Sequence, residues 1–223
     1  GTGSGLLSMI AAEAGASHVT AVECVPYLAT LASQIIHEND KKDSVTVITG
    51  NSTHLSDEEV KWKGQAPNLI VAELMNFSLL GERILPTLYH AQNNLSSPKC
   101  CVIPATAKVF AQLIESKFVL EMSRTFDTPH CYYGDSTYEP MEIQNIDDVV
   151  YISQAFEALH ITFGEGIQLS GEHSQNIDIT KTGTCVAVIF WWSVVLDEKN
   201  PEETTIDCSP GQGGHWSQAL YFL

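Results

Sequence analysis

The sequence predicts an open α/β domain followed by a β-rich domain, and three observations carry that prediction. A glycine-rich turn, Gly1-Thr2-Gly3-Ser4-Gly5, runs directly into an apolar stretch of helical character. An acid, Glu23, ends the strand-like run that follows, about twenty residues after the turn, as in a nucleotide-binding βα unit. Beyond Pro104 the chain breaks into short apolar runs of strand character.

Residues 6–14 read as a helix that Gly15 ends. Glycines at the mouth of a helix let the backbone approach a ligand and leave N–H groups pointing outward, so Gly1, Gly3 and Gly5 are cofactor-binding candidates. Residues 18–23 form the next strand, and a carboxylate at its end, Glu23, can accept both hydroxyls of a ribose. Residues 27–38 are a helix with Leu28, Leu31, Ala32, Ile35 and Ile36 on one face, and 44–49 are a strand. The loop Gly50-Asn51-Ser52-Thr53 suits an adenine edge, which adds Ser52 and Thr53 to the candidates. The run 69–72 has the character of a buried strand. The turn and its acid fit either a nicotinamide cofactor or S-adenosylmethionine; the order turn, helix, strand, helix, strand, strand, helix favours the second. Together these elements make a Rossmann-like domain over 1–103, with ligands at the carboxyl ends of its strands. A glycine turn of this kind should follow a strand and the chain lacks an initiator Met, so it is expected to be a piece of a longer protein.

In 104–223 a long strand is expected at 107–114, with further ones at Ile143 and at 149–152, 161–163, 177–179, 185–195 and 219–223. The adjacent Trp191 and Trp192 should point to opposite faces of their strand. Residues 124–148, polar and rich in tyrosine and turn residues, read as an inserted arm or a long loop. Gly213-Gly214-His215-Trp216 is a glycine-led loop before the last strand.

Glu73 and Glu82 stand on either side of a loop of about eight residues. Glu73 falls where the 69–72 strand runs out. From Gly81 onward Ile84, Leu85, Leu88 and Ala91 recur at helical spacing, which puts Glu82 in the first turn of a helix. The loop can fold back so that the carboxylates converge. Two converging acids make a cation site, and a guanidinium fits best, being planar, permanently charged and furnished with five N–H donors. The plainer reading is that acids are common after strands and in first helical turns, where the helix dipole favours them. Arg83 could also pair with either acid.

The chain is acidic, with a net charge of −16, and unevenly so: 10 acids stand against 6 Lys/Arg in 1–103, and 17 against 5 in 104–223. Such a surface repels nucleic acid and attracts basic partners. No apolar run approaches the ~20 residues of a membrane span. The six cysteines show neither a CxxC pair nor regular spacing, which argues against a zinc site or a disulfide framework and for a reducing compartment.

Over almost the whole chain these residues resemble the protein arginine N-methyltransferase family. Gly1-Thr2-Gly3-Ser4-Gly5-Leu6-Leu7-Ser8-Met9 with Ala14-Gly15-Ala16 is similar to the family's cofactor loop and following helix, and Val22-Glu23 to its ribose-binding acid. The stretch 73–82 is similar to its double-glutamate loop, and Gly214-His215-Trp216 to its Thr-His-Trp loop. Within the family the resemblance is strongest to the type III enzyme, in Leu80-Gly81-Glu82, Leu85-Pro86-Thr87, Tyr89-His90-Ala91, the run 109–116 and Tyr221-Phe222-Leu223. That enzyme resembles two such modules in tandem, of which this chain would be most of the first, truncated at both ends. Three positions depart from the pattern: Asn76 stands where the type III relative carries an acid, Thr53 where many members have Glu, and Gly214 where the loop has Thr.

The resemblance implies a Rossmann-like S-adenosylmethionine-dependent methyltransferase domain, 1–103, followed by a β-barrel-like substrate-binding domain, 104–223, with an inserted arm. It implies methyl transfer from S-adenosyl-L-methionine to a guanidinium nitrogen of protein arginine, one methyl per residue. Glu73, Glu82 and His215 would be catalytic, the same three with Trp216 would bind the substrate, and Gly1, Gly3, Gly5, Glu23, Ser52 and Thr53 would bind the cofactor, with no metal. The partners implied are Arg-rich proteins such as histones or RNA-binding proteins, without direct nucleic-acid or membrane contact, in a dimer or tandem-module pseudo-dimer of cytoplasm and nucleus. The first strand and the covering helices lie outside these residues, so the fragment alone is expected to be inactive. Three other readings stay open: a noncatalytic arginine-binding module on the same fold, suggested by Arg83 beside Glu82, a nicotinamide-dependent oxidoreductase, and a small-molecule methyltransferase.

Overall fold

A computed structural model describes residues 1–126, 138–164 and 166–223. The chain divides into two compact units, Gly1–Leu74 with Ile84–Ile103, and Met75–Arg83 with Pro104–Leu223. The segment Met75–Arg83, expected inside 1–103, groups with the second unit because the indoles of Trp192 and Trp216 bond its backbone.

The first unit contains, in order, α1 (Leu6–Glu13), β1 (Val19–Glu23), α2 (Pro26–Glu38), β2 (Val45–Thr49), α3 (Asp57–Val60), β3 (Leu69–Val71), α4 (Ile84–His90) and β4 (Cys101–Ile103). Pro26 starts α2, where its missing N–H costs nothing and its fixed φ suits the first turn. Ala29, Ala32 and Ile36 line the buried side of α2 and pack with Ala21 of β1 and Val45 of β2; two of the three are alanines, which lets the helix lie close to the strands. β1 and β2 run parallel in register from Val19↔Val45 to Glu23↔Thr49. β3 and β4 form a second parallel pair. The single open sheet expected from the sequence is therefore two separate two-stranded sheets among the described residues. Nor is β3 buried on both faces, for Leu69 and Val71 are exposed at 42% and 39% while Ile70 turns inward against Val60, Ala91 and Leu95. Apolar composition alone does not distinguish a covered strand from one with a bare face.

The second unit is built on β5 (Thr106–Glu115) and β9 (Ala187–Val195), antiparallel over nine residue pairs. Around them are α5 (Lys117–Phe126), β6 (Glu139–Met141), β7 (Val150–Tyr151), β8 (Phe156–Thr162), α6 (Pro201–Thr204), β10 (Thr205–Asp207) and β11 (Gln218–Phe222). On its other edge β5 pairs first with β8 and then, past a register shift at Val109/Phe110, with β7 at Ile114↔Tyr151. β9 likewise pairs with β11 and then with β10, and β6 pairs with β11. Along β9, Ala187, Ile189 and Trp191 enter a core with Ile114, Val119, Ile143 and Leu220, while Trp192 is fully buried on the opposite face.

Two strand expectations fail in this unit. Ile143 is a fully buried residue of a short 3₁₀ turn, Ile143–Asn145, and 177–179 makes only an isolated bridge, Ser153↔Ile179. Burial in a turn produces the same apolar signal as burial in a strand. The arm expected at 124–148 falls in part on 127–137, outside the described residues; its described part holds the end of α5, β6 and the 3₁₀ turn Ile143–Asn145. Helix α5, which the sequence reading omits, has a local cap in Ser116, whose hydroxyl oxygen accepts Val119 N–H at 3.1 Å, and a distant one in Asp148, to which Phe118 N–H and Ser116 O–H donate at 3.0 and 2.6 Å. Those bonds hold the Asp148 carboxyl below the usual range, the Ser116 hydroxyl contributing most. No helix among the described residues is long and apolar enough to cross a membrane.

Candidate functional site

The residues of the first unit gather at the carboxyl ends of β1 and β2. Gly5 caps α1 with φ +87°, and a side chain there would stand 2.9 Å from Ile36 Cδ1, so both the backbone angle and the packing on α2 require glycine. The turn before it is pinned on both sides: Thr2 N–H donates to the Val22 carbonyl at 2.8 Å and the Thr2 and Ser8 hydroxyls bond at 2.8 Å. Glu23 is buried at 5% exposure. Its Oε2 accepts Gly3 N–H at 2.9 Å and its Oε1 accepts Val25 N–H at 3.0 Å. Burial is the largest single influence and pushes this carboxyl up, but the lowering influences, led by the N–H donors of Val25 and Gly3, together bring the net below the ordinary value. Oε1 also accepts the Cys24 thiol at 3.7 Å, a weak donor, and Oε2 keeps a lone pair beyond its bond to Gly3, so the acid can still receive a hydroxyl donor.

Gly50 N–H donates to the Glu23 carbonyl at 2.8 Å, which brings the loop after β2 to the same edge. In that loop Ser52 opens a short 3₁₀ turn, and Thr53 spends its N–H and its hydroxyl hydrogen on Asn51 Oδ1, at 3.0 and 2.9 Å. Glu73 is exposed two residues beyond β3. Its neighbour Leu74 comes within 3.5 Å of where Gly1 would carry a side chain, and Glu23 Oε2 within 3.6 Å, so the glycine turn, Glu23 and the end of the β3 segment meet.

Glu82 belongs to the second unit and is exposed. It does not open α4, as helical spacing suggests, but stands in a turn before it. Arg83, with φ +64°, puts a left-handed residue between Glu82 and the helix that starts at Ile84. None of the ion pairs among the described residues involves Arg83. The segment between the glutamates is held at consecutive peptide units: Trp216 Nε1–H donates to the Met75 carbonyl at 3.0 Å and Trp192 Nε1–H to the Asn76 carbonyl at 2.9 Å. The two indole rings lie 4.9 Å apart, and the exposed His215 meets Trp216 edge-on at 5.1 Å. Behind this loop Gln218, 3% exposed, receives Ile143 N–H and donates to the Cys208 carbonyl, which fixes the start of β11.

Two contributors are absent from the sequence reading. Trp192 reads there only as a core residue of its strand, and Asn76 only as a departure from a pattern. The one local signal was Asn76 followed two residues later by Ser78, a pairing that favours side-chain-closed turns. Among the described residues no group of three or more His, Cys, Asp or Glu is arranged to hold a metal ion, and Cys24, Cys100, Cys101, Cys185 and Cys208 are free thiols.

No family model matches the chain. Curated relatives align over all of it: protein arginine N-methyltransferase 7 of Gallus gallus is 28% identical over 257 residues, that of Xenopus laevis 29% over 250 and that of Caenorhabditis briggsae 29% over 247. The chain spans 36% of the length of each. Two solved structures share its fold over its entire length: the Trypanosoma brucei PRMT1 enzyme–prozyme heterotetrameric complex with AdoHcy, at a TM-score of 0.77, and Arabidopsis thaliana protein arginine methyltransferase 10 in an open conformation, at 0.70. Both are 20% identical, with 71% and 72% of their chains covered. The resemblance to protein arginine N-methyltransferases, and within them to enzyme 7, thus extends along the whole chain.

Proposed function

We propose that the chain is the catalytic module of an S-adenosylmethionine-dependent protein arginine N-methyltransferase of type III, leaving one methyl on each arginine. The observation that carries this reading is the bond from Trp216 to the Met75 carbonyl. It ties two motifs that lie 141 residues apart, the His-Trp loop and the segment between the glutamates. Likeness along the whole of this chain to curated arginine methyltransferases supports it.

The first unit suits the cofactor. The space over Gly3 is open, with no atom within 4 Å of where a side chain would stand, and Glu23 stays charged beside it with a lone pair to spare on Oε2. Gly1, Gly3 and Gly5 would line its approach, Glu23 its ribose hydroxyls, and Ser52 and Thr53 its adenine; the Thr53 oxygen can still accept from an amine although its hydrogen is committed. When bound, S-adenosylmethionine supplies a methyl group on a sulfonium, already a strong electrophile.

Glu73 and Glu82 would grip the two ends of the guanidinium fork. Their charge draws the delocalised cation toward the nitrogens they hold and frees a lone pair on the nitrogen facing the methyl. One glutamate or His215 then takes the proton that the methylated nitrogen sheds, a step worth roughly 10²- to 10⁴-fold in rate. The acidic surface draws Arg-rich segments, such as those of histones or RNA-binding proteins, toward the module. We read the antiparallel sheet of the second unit as the barrel-like substrate domain; the partner changes along β5 and β9 and the irregularity in β5 are the devices by which a sheet curls. The heterotetramer of the T. brucei neighbour supports a module that works paired, with a second copy or a second module.

The test is methyl transfer by the full-length protein to an Arg-rich peptide with products resolved by mass. Accumulation of monomethylarginine alone is expected. Dimethylated product would remove the type III assignment, and peptide binding without turnover would favour a noncatalytic arginine-binding module.

A further inference from the structure

The segment that carries Glu82 closes on itself through two successive turns, one bonded from Leu79 N–H to the Asn76 carbonyl at 2.8 Å, the other from Arg83 N–H to the Leu80 carbonyl at 3.1 Å. Glu82 sits inside the second turn. A single atom joins the two: Asn76 Oδ1 accepts Ser78 N–H at 3.1 Å, Ser78 O–H at 2.9 Å and Gly81 N–H at 3.2 Å. Gly81 immediately precedes Glu82, so the third of these bonds fixes the peptide from which the glutamate projects. The fit is close, for any side chain at Gly81 would collide with the Asn76 amide. Asn76 is itself held by the fully buried Trp192, which donates to its carbonyl. The fully buried Leu79, at φ +67°, anchors the loop in a conformation that a leucine adopts only when its surroundings impose it.

We propose that Asn76 is the positioning residue for Glu82, holding it for the guanidinium through the acceptor Oδ1. This rests on the arginine methyltransferase reading. Its chemistry is specific, because all three donors converge on one oxygen and the amide hydrogens take no part. A carboxylate of the same length offers that oxygen equally well, and an alanine offers none. Without the staple the two turns move independently, and a displacement of about 1 Å at a reacting group can cost on the order of 100-fold in rate.

The test compares wild type, Asn76→Ala and Asn76→Asp in the full-length protein, by steady-state methyl transfer to an Arg-rich peptide, calorimetric titration of S-adenosylmethionine, and urea unfolding. Asn76→Ala is expected to lose roughly 10- to 100-fold in kcat/KM, with cofactor affinity unchanged within about twofold because the residues proposed to bind it lie in the other unit. Asn76→Asp is expected to return to within about threefold of wild type, since it restores the acceptor. If Asn76→Ala does not fold, Asn76→Gln, which moves the oxygen outward by one methylene, is expected to show the same loss. Full kcat/KM in Asn76→Ala, or in Asn76→Gln where that variant stands in for it, or an Asn76→Asp variant as impaired as Asn76→Ala, would overturn the proposal. A wild-type protein that methylates no arginine would instead overturn the reading beneath it.

Discussion

Trp216 donates its indole N–H to the Met75 carbonyl while Trp192 donates to the carbonyl of the next residue, Asn76, so two neighbouring indoles, tilted 57° to each other and from different parts of the second unit, grip consecutive peptides. Replacing either by phenylalanine keeps most of the ring and deletes the donor. Trp192 is fully buried, and Trp192→Phe removes one of the two donors to the Asn76 carbonyl, which keeps Leu79 N–H, so the lost bond should cost about 1 kcal/mol. Trp216→Phe, at a half-buried site, should cost about 1 kcal/mol or less. Urea unfolding reads both, and turnover should fall in each; variants as stable and as active as wild type would show that these bonds do not hold the loop.

Glu73→Gln and Glu82→Gln in the full-length protein should each lower turnover at least ~100-fold, because each leaves one end of a bound cation without its counter-charge. Circular dichroism should be unchanged, both side chains being exposed. Near wild-type methylation by both variants would take these residues out of the mechanism.

Glu23 gives a pH dependence with a defined sign. Its carboxyl in the folded protein titrates below the ordinary 4.5, so its contribution to stability is complete above that value and is lost as pH falls through the lower, folded one. Other carboxyls with depressed values, among them Asp148 and Asp197, titrate in the same region, so the comparison must be with Glu23→Gln. Urea midpoints taken from about pH 6 to about pH 3 should fall more steeply for wild type than for the variant. Parallel curves would mean that the Gly3 and Val25 bonds stabilise nothing. The variant should also bind S-adenosylmethionine more weakly near neutral pH.

Charge supplies a fourth expectation. With 27 acids against 11 Lys/Arg, the protein should bind an Arg-rich peptide more weakly as salt rises, by about tenfold between roughly 50 and 500 mM. Fluorescence anisotropy at several salt concentrations measures this. A flat series would rule out long-range steering.

What the sequence makes legible here is what repeats with a clear period or needs glycine. The run from the Gly1–Gly5 turn through α1, β1, α2 and β2 is readable because glycines bracket α1, α2 keeps one apolar face and the strands are short and β-branched. Glu23 and its partner Gly3 follow from the same pattern. The site in the second unit is less legible, since its geometry rests on bonds between distant residues. Helical spacing after Gly81 places Glu82 in α4, but the left-handed Arg83 is a tertiary choice with no composition signal. Helix α5 keeps a local cap in Ser116, but its second capping acceptor, Asp148, stands 30 residues from Phe118, beyond the reach of a local pattern. That Trp192 grips a loop 116 residues away cannot be read from a strand pattern, which shows only that two neighbouring tryptophans face opposite ways.

The chain leaves the first unit at Leu74, returns at Ile84 and leaves again after Ile103. Severing it between Ile103 and Pro104, where composition invites a domain boundary, would give an amino-terminal piece that owns both glutamates yet has lost the indoles that shape the loop between them. The carboxyl-terminal piece would keep two indole donors with nothing to grip. Neither piece alone could keep the loop between Glu73 and Glu82 in its observed shape, so a graft of that loop has to carry the indoles with it.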